Sequence, residues 1–468
     1  MVFSSHIFLF YFLPFALLLY ALSPRVGKHL LLTLVSYLFY AWANPWFVFL
    51  MLFSTVVSYL CGLWMLRAGS NTRVRKTALL VAILACLSPL GFFKYIGFVQ
   101  ENLNFISDLF GGPTMQVFMV ILPVGISFYT FQAMSYVIDL YRGDARPARS
   151  FIDFACYVSM FPQLVAGPII RYQDIADQLV ERQHTLEKFS RGIFFFMLGF
   201  SKKILLANPM GEVADATFAA PQLTALDAWF GVMAYAFQIY FDFSAYSDMA
   251  IGLGMMLGFR FIKNFDSPYK SQSITEFWRR WHISLSNWLR DYLYIPLGGN
   301  RKGRERTYVN LMMVMLIGGL WHGATWNFVI WGGIHGLWLA LERVFGKKSF
   351  YAKAPMVLRV LLTFFIVNVA WVFFRAPDLA TSMSYLSSMF GLAGGVDASA
   401  VLIRGIIYTP EKVIFFFAAA LIAFFGWQTW DLSKNLSFGK MAYGLIIFLW
   451  AIAAYSTQTF NPFLYFQF

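Results

Sequence analysis

Apolar runs long enough to cross a lipid bilayer recur along this chain, and they constrain its fold more than any other feature. A spanning helix needs about 20 predominantly apolar residues. Such runs lie roughly at 7–23, 30–45, 46–66, 77–97, 115–139, 190–208, 225–257, 308–322, 324–342, 356–375, 411–428 and 440–457. Their hydrophobicity is continuous rather than alternating, which favours helices over a barrel. Only 13% of the residues are charged, against about 25% in a soluble domain. The expectation is an all-α polytopic membrane protein with about ten to twelve transmembrane helices. The apolar stretch 151–170 is broken by Pro162 and Gly167-Pro168, so a re-entrant or tilted piece is expected there. The run 225–257 is too long for one upright helix and reads as one piece or two. The N-terminal MVFSSHIFLFYFLPFALLLYAL has no basic region and no small-residue cleavage site, so it reads as a retained first helix, not a signal peptide. No internal repeat or low-complexity linker occurs. No loop is large enough to fold alone, so residues 1–468 read as a single integral membrane domain whose chemistry lies within the bilayer or at its surface.

The net charge is +13. In a soluble protein that would suggest nucleic acid. Here the charge sits in short loops and reports topology, so no nucleic-acid partner is expected. The segment 259–307 carries ten Lys/Arg against four acids, a net +6. By the positive-inside tendency it faces the cytoplasm, as does RAGSNTRVRK at 67–76. Ser273 precedes Glu276 by three, a capping box opening a helix over about 274–292. That helix is rich in Trp and Arg, too polar to span, and reads as interfacial, with His282 on it.

The stretch GGLWHGATWNFVIWGGIHG, residues 318–336, places His322 and His335 in an apolar setting, and 308–342 is the helical region of greatest chemical interest. An ionisable side chain inside a span is costly and is a functional hypothesis by default. Neutral imidazole can act as a general base near neutral pH. The alternative for His322 is a core histidine bonded to a nearby carbonyl. His335 lies thirteen residues further on, about 220° around a helix, so the two do not share a face and His335 reads mainly as structural. His282 could be delivered by the basic segment to an anionic donor. Asp242 and Ser244, with Ser247 and Asp248, put polar groups in an apolar helix, where they line a path, orient an imidazole or hold helices together. The chain has no Walker A loop, no GxSxG elbow and no HExxH. Its three cysteines, Cys61, Cys86 and Cys156, are scattered, so no metal site is expected.

Several motifs in order carry a resemblance: MVFSSHIFLFYFLP, ILPVGISFYTFQAMSYVIDLYRG, FPQLVAGPIIRYQDI, QIYFDFSAYSDMAIGLGMMLGF, FWRRWHISLSNWLRDYLYIPLGGNR, LIGGLWHGATWNFVIWGGIHG and the ending NPFLYFQF. Together they span nearly the whole chain. It resembles the membrane-bound O-acyltransferase (MBOAT) family, and within it the bacterial alginate O-acetyltransferase, AlgI-like branch. The resemblance implies a ring of membrane helices around a cytoplasmic funnel, and the activity of an O-acetyltransferase of the inner membrane. It implies His322 as the essential catalytic base and His282 as the second family histidine. Arg279, Arg280, Trp281, Asn287, Trp321, Trp326, Asp242 and Ser244 are the candidates for donor binding or the substrate path. The implied donor is acetyl-coenzyme A, with no bound cofactor. The implied acceptor is an exported polysaccharide such as alginate, reached through a periplasmic SGNH-type acetyltransferase and other polysaccharide-secretion proteins. Transfer of a D-alanyl group, or a non-catalytic acyl-group or glycan transporter, are the alternatives. A scaffold in a secretion complex is a third.

Overall fold

The computed structural model describes residues 1–118, 120–346, 353–393, 398–458 and 460–464, and the described residues form helices and turns without β-strand. Six helices are long and apolar enough to cross a membrane: Phe47–Arg67, Thr72–Leu109, Leu186–Phe218, Trp326–Phe345, Met356–Arg375 and Phe438–Thr457. The other apolar runs are helical too, mostly shorter, as in Phe8–Leu22 and Pro410–Phe425. This is a multi-pass membrane protein. Residues 225–256 form one continuous helix, Ala225–Met256. The run 115–139 is helical only from Ile126, because Pro123 lacks an N–H and Gly125 is left-handed at φ 75°. The 151–170 stretch breaks as expected, into Phe151–Ser159 and Phe161–Leu164.

Two compact units are formed, interleaved along the chain. The first comprises Met1–Gly192 with Ala250–Ile262. Its apolar centre includes the rings of Phe8, Phe12, Phe39 and Phe161, which meet edge-on or tilted. A polar cluster also holds it together. The Tyr20 hydroxyl donates to the Leu257 carbonyl at 2.9 Å and accepts from Arg182, and His29 sits 2.5 Å from Asp153.

The second unit comprises Ile193–Met249 with Lys263–Phe468 and contains every candidate functional residue. Its centre is a hairpin of two helices, Arg304–His322 and Trp326–Phe345. They approach closely through glycines. A Cβ on Gly332 would lie 2.3 Å from the Met315 carbonyl oxygen, and one on Gly319 would lie 2.2 Å from that of Phe328. These obstacles are backbone and cannot swing aside. Gly332→Leu is therefore expected to cost at the upper end of the overpacking range, about 3 kcal/mol, and to lower the membrane abundance of folded protein several-fold, read by fluorescence-detected size exclusion.

The basic segment departs from the expected single helix over 274–292. Helix Ile274–Arg280 stops at Trp281-His282, and Ile283–Leu289 starts anew. The cause is local competition for hydrogen bonds. The Ile283 N–H goes to the Asn264 carbonyl at 2.9 Å and the Ser284 N–H to Asn264 Oδ1 at 3.1 Å, while the Arg280 carbonyl accepts from Asp266 N–H. Groups that would close helical turns are thus taken by the 264–266 stretch. The capping box is half formed: Ser273 Oγ accepts from Glu276 N–H at 3.0 Å, and Glu276 reaches back to Gln272 N–H instead of Ser273. Glu342 completes the cap by accepting from Ile274 and Thr275 N–H at 2.6 and 2.8 Å, which fixes this helix against the end of the Trp326–Phe345 helix.

Candidate active site

His322 is the last residue of its helix, where the chain leaves through Gly323 in extended conformation. It is buried among aromatic rings, with centroids of Trp321, Phe374 and Trp331 at 5.0, 5.1 and 5.2 Å. Two cavities meet it. One, of about 440 Å³, is open and runs from His322 past Trp331, Gly318 and Asn287 to a mouth bearing Arg279, Arg290 and Arg343. The other holds about 20 Å³, room for a single water, and is lined by His322, Asp242, Trp281, Trp371, Phe374 and Leu464. A charged substrate could enter the first, with its reactive end at the imidazole and its anionic end at the guanidinium groups.

His282 is completely buried and takes a left-handed conformation, φ 43°, uncommon for a residue with a Cβ. Asn264 explains why it is held there. Asn264 Oδ1 accepts from the Ser284 N–H, a group that can only donate, so the amide orientation is settled. His282 Nδ1, 3.2 Å from the same oxygen, must then carry the proton, and Nε2 keeps the lone pair. Asn264 Nδ2 in turn donates to Ser247 Oγ at 2.9 Å. The His282 ring stands 6.4 Å from that of His322, with Trp321 against both, and lines neither cavity. Desolvation pushes its pKa down to about 3. An unfolded histidine near 6.5 takes up a proton that the folded site refuses, so this burial is tolerated fully above pH 6.5 and works against folding as pH falls from 6.5 toward 3. Asn264→Ala leaves the buried His282 and Ser284 donors without their acceptor, each costing about 1–3 kcal/mol. A lowered unfolding temperature in detergent is expected, with the drop steepening below pH 6.

The other candidates divide cleanly. Arg279 and Asn287 line the open cavity, and Trp281 and Asp242 line the small one. Arg280 is committed elsewhere, to Glu276 at 2.8 Å and the Asp266 carbonyl at 3.1 Å. Trp326 is 55% exposed, at the start of its helix, and away from both cavities. Ser244 is buried on the helix that carries Asp242 but lines neither cavity. His335 accepts from Trp278 Nε1 at 3.3 Å and packs on Phe277 and Trp331, a structural position.

Asp242 is the buried member with the most structure around it. Lys203 Nζ lies 2.7 Å from its Oδ1, and Leu464 N–H donates to its Oδ2. Lys203 also donates to the Pro462 carbonyl. The segment 461–464 is thereby drawn back to the small cavity beside His322. The remainder of the NPFLYFQF motif, 465–468, lies outside the described residues. Lys203 begins a wide π-turn, Lys203–Ala207, and its neighbour Lys202 pairs with Asp248 at 2.6 Å and Thr429 at 2.7 Å. Sequence reasoning missed Asn264, Lys203, Trp371, Phe374 and Arg343. The signals for the Lys203–Asp242 pair were present: two adjacent lysines inside an apolar run, and two aspartates six residues apart in another.

The sequence profile described as "MBOAT, membrane-bound O-acyltransferase family" matches residues 146–386, just over half of the chain and inclusive of both His282 and His322. The chain belongs to the membrane-bound O-acyltransferase family. It is 46% identical over 488 residues to a protein of Pseudomonas putida described as a probable alginate O-acetylase AlgI, covering 100% of both chains. A protein of Pseudomonas aeruginosa with the same description is 49% identical over 91% of this chain and 81% of its own. A peptidoglycan O-acetyltransferase of Helicobacter pylori is 38% identical over 84% and 80%. The protein is thus an O-acyltransferase of the AlgI-like branch, and the two cavities at His322 are the acyltransferase's candidate donor and acceptor sides.

Proposed function

We propose that this acyltransferase moves an acetyl group from a cytoplasmic thioester, acetyl-coenzyme A, across the bacterial inner membrane for attachment to an exported polysaccharide such as alginate. The observation that carries this reading is His322 standing between an open, arginine-rimmed cavity and a small one facing Asp242 and Leu464. In the reaction His322 takes the proton of the acceptor hydroxyl, whose oxygen attacks the thioester carbonyl. The C–S bond breaks as the C–O bond forms, and the imidazolium returns the proton to the leaving thiolate. Trp321, Trp331 and Phe374 keep bulk water from the thioester. His282, neutral and fixed by Asn264, supports the Trp321 ring rather than reacting itself. The acetyl group passes to a periplasmic SGNH-type acetyltransferase acting with the secretion proteins, which modifies the polymer. The names of the relatives, alginate and peptidoglycan O-acetylases, support acyl transfer to an envelope or exported polymer.

The test uses the full chain in lipid nanodiscs with radiolabelled acetyl-coenzyme A and the periplasmic fraction of the source cells as acceptor. Label should appear in periplasmic protein or polymer, and disappear from both with His322→Ala. Arg343→Gln should raise the KM for the donor about threefold to tenfold with kcat little changed, and the difference should shrink as salt screens the exposed guanidinium. Label transfer from a D-alanyl thioester and none from acetyl-coenzyme A would overturn the choice of cargo.

A further inference from the structure

A large cavity in the second unit has no part in the His322 site. It is an open groove of about 790 Å³. One wall is the 186–202 helix and the turn after it, with Leu198, Leu205 and Leu206; the others are the Pro410–Phe425 and Phe438–Thr457 helices. Its walls are apolar along their length, and polar groups gather at one end: Lys202, Thr429, Ser437 and Lys440.

We propose that this groove binds an anionic glycerophospholipid of the cytoplasmic leaflet, its phosphate at Lys440 and Lys202 and one acyl chain along the apolar walls. Three observations fit together. The first is depth. Lys440 at the mouth and Trp450 toward the far end lie ten residues apart on one helix, about 15 Å, and half of a bilayer's hydrocarbon core is also about 15 Å. The groove is as long as one leaflet is thick. The second is the side of the membrane. The mouth is tied to the basic 259–307 segment: Lys270 Nζ donates to the Gly426 carbonyl, and Gln428 Nε2 to Ser267 Oγ at 2.7 Å. Around the same loop Phe425, Trp427 and Phe438 are largely exposed, a group of aromatic side chains suited to the headgroup level.

The third is charge. Lys202, Lys270, Lys434 and Lys440 surround the mouth, and among the described residues Asp248 and Asp431 are the acids paired there. The Lys434 ammonium bonded to Asp431, with Lys263 and Lys270 near, holds that carboxyl below the usual range, so the local field is positive. Lys440 Nζ spends its hydrogen bonds on the Lys434 and Asn435 carbonyls, which aim it at the mouth without neutralising it. A basic pocket between membrane helices on the cytoplasmic side is the setting in which phospholipid headgroups are recognised.

Native mass spectrometry of the full chain, delipidated and then offered equal phosphatidylglycerol and phosphatidylethanolamine, tests the assignment. Phosphatidylglycerol should be retained in about fivefold preference, the discrimination that one interfacial lysine confers. Lys440→Glu should abolish the preference, and Ala418→Trp, which fills the groove wall, should lower retention of both lipids. Both variants should unfold at the wild-type temperature. sn-Glycerol 3-phosphate, with the same phosphate and no chains, should fail to displace the lipid. Equal retention of the two lipids by the wild type, an unchanged preference in Lys440→Glu, or displacement by glycerol phosphate would each overturn the proposal, the last because it makes the site an anion pocket.

Discussion

His322→Ala is expected to remove the acetyl groups from the exported polysaccharide while the variant protein accumulates in the membrane at the wild-type level. A positioned general base contributes about 10² to 10⁴ in rate, and neither neighbouring imidazole can replace it: His282 lines neither cavity and His335 is engaged by Trp278. The fold should survive because His322 ends its helix and borders open space, so truncation enlarges an existing cavity and leaves the Gly319 and Gly332 contacts untouched. Acetyl content of the polymer, measured beside an immunoblot of the membrane fraction, decides the matter. Normal acetylation at normal abundance would make His322 a packing residue and bring the transporter and scaffold readings forward.

The second large effect concerns Lys203 and Asp242, whose side chains are 5% and 2% exposed. Breaking a buried pair from one side strands the other charge, at a cost of about 3–5 kcal/mol. Lys203→Met alone should therefore lower the unfolding temperature sharply and reduce yield. Lys203→Met with Asp242→Asn should recover much of that loss. No uncompensated charge then remains, and the substituted amide still offers an oxygen to the Leu464 N–H. The coupling is measured by a double-mutant cycle in nanodiscs. Additive effects of the two substitutions would mean that the ion pair is not what holds the 461–464 segment.

Much of this architecture is legible in the residues. Apolar length locates the Phe47–Arg67, Met356–Arg375 and Phe438–Thr457 helices within a few residues, because in a bilayer a backbone must satisfy its own hydrogen bonds and helix is the local way to do so. The ordered motifs around His282 and His322 lead to the right family. The break at Trp281-His282 is not legible, since it depends on Asn264, eighteen residues earlier, taking N–H groups that local propensity assigns to a helix. Nor is the sorting of neighbouring side chains. Arg279 and Arg280 are equivalent by composition, yet one faces the cavity and the other is held by Glu276. Trp321 and Trp326 differ in the same way, one pressed between two histidine rings and the other largely in the surroundings. Partners distant along the chain decide such cases.

The wide turn at Lys203–Ala207 has a consequence for how this sequence can change. A π-turn accommodates one residue more than the helix around it, so it works as a phase shifter between the helical stretches before and after. Deleting a single residue there would rotate everything downstream by about 100°. Asn208, now facing Gln458 and Asn461, would turn away, while the upstream Gly199, which packs on the 225–256 helix, would stay in place. Insertions and deletions in this stretch should therefore be far less tolerated than substitutions, and the inserted residue is a better guide to the register of this region than any one of the side chains it carries.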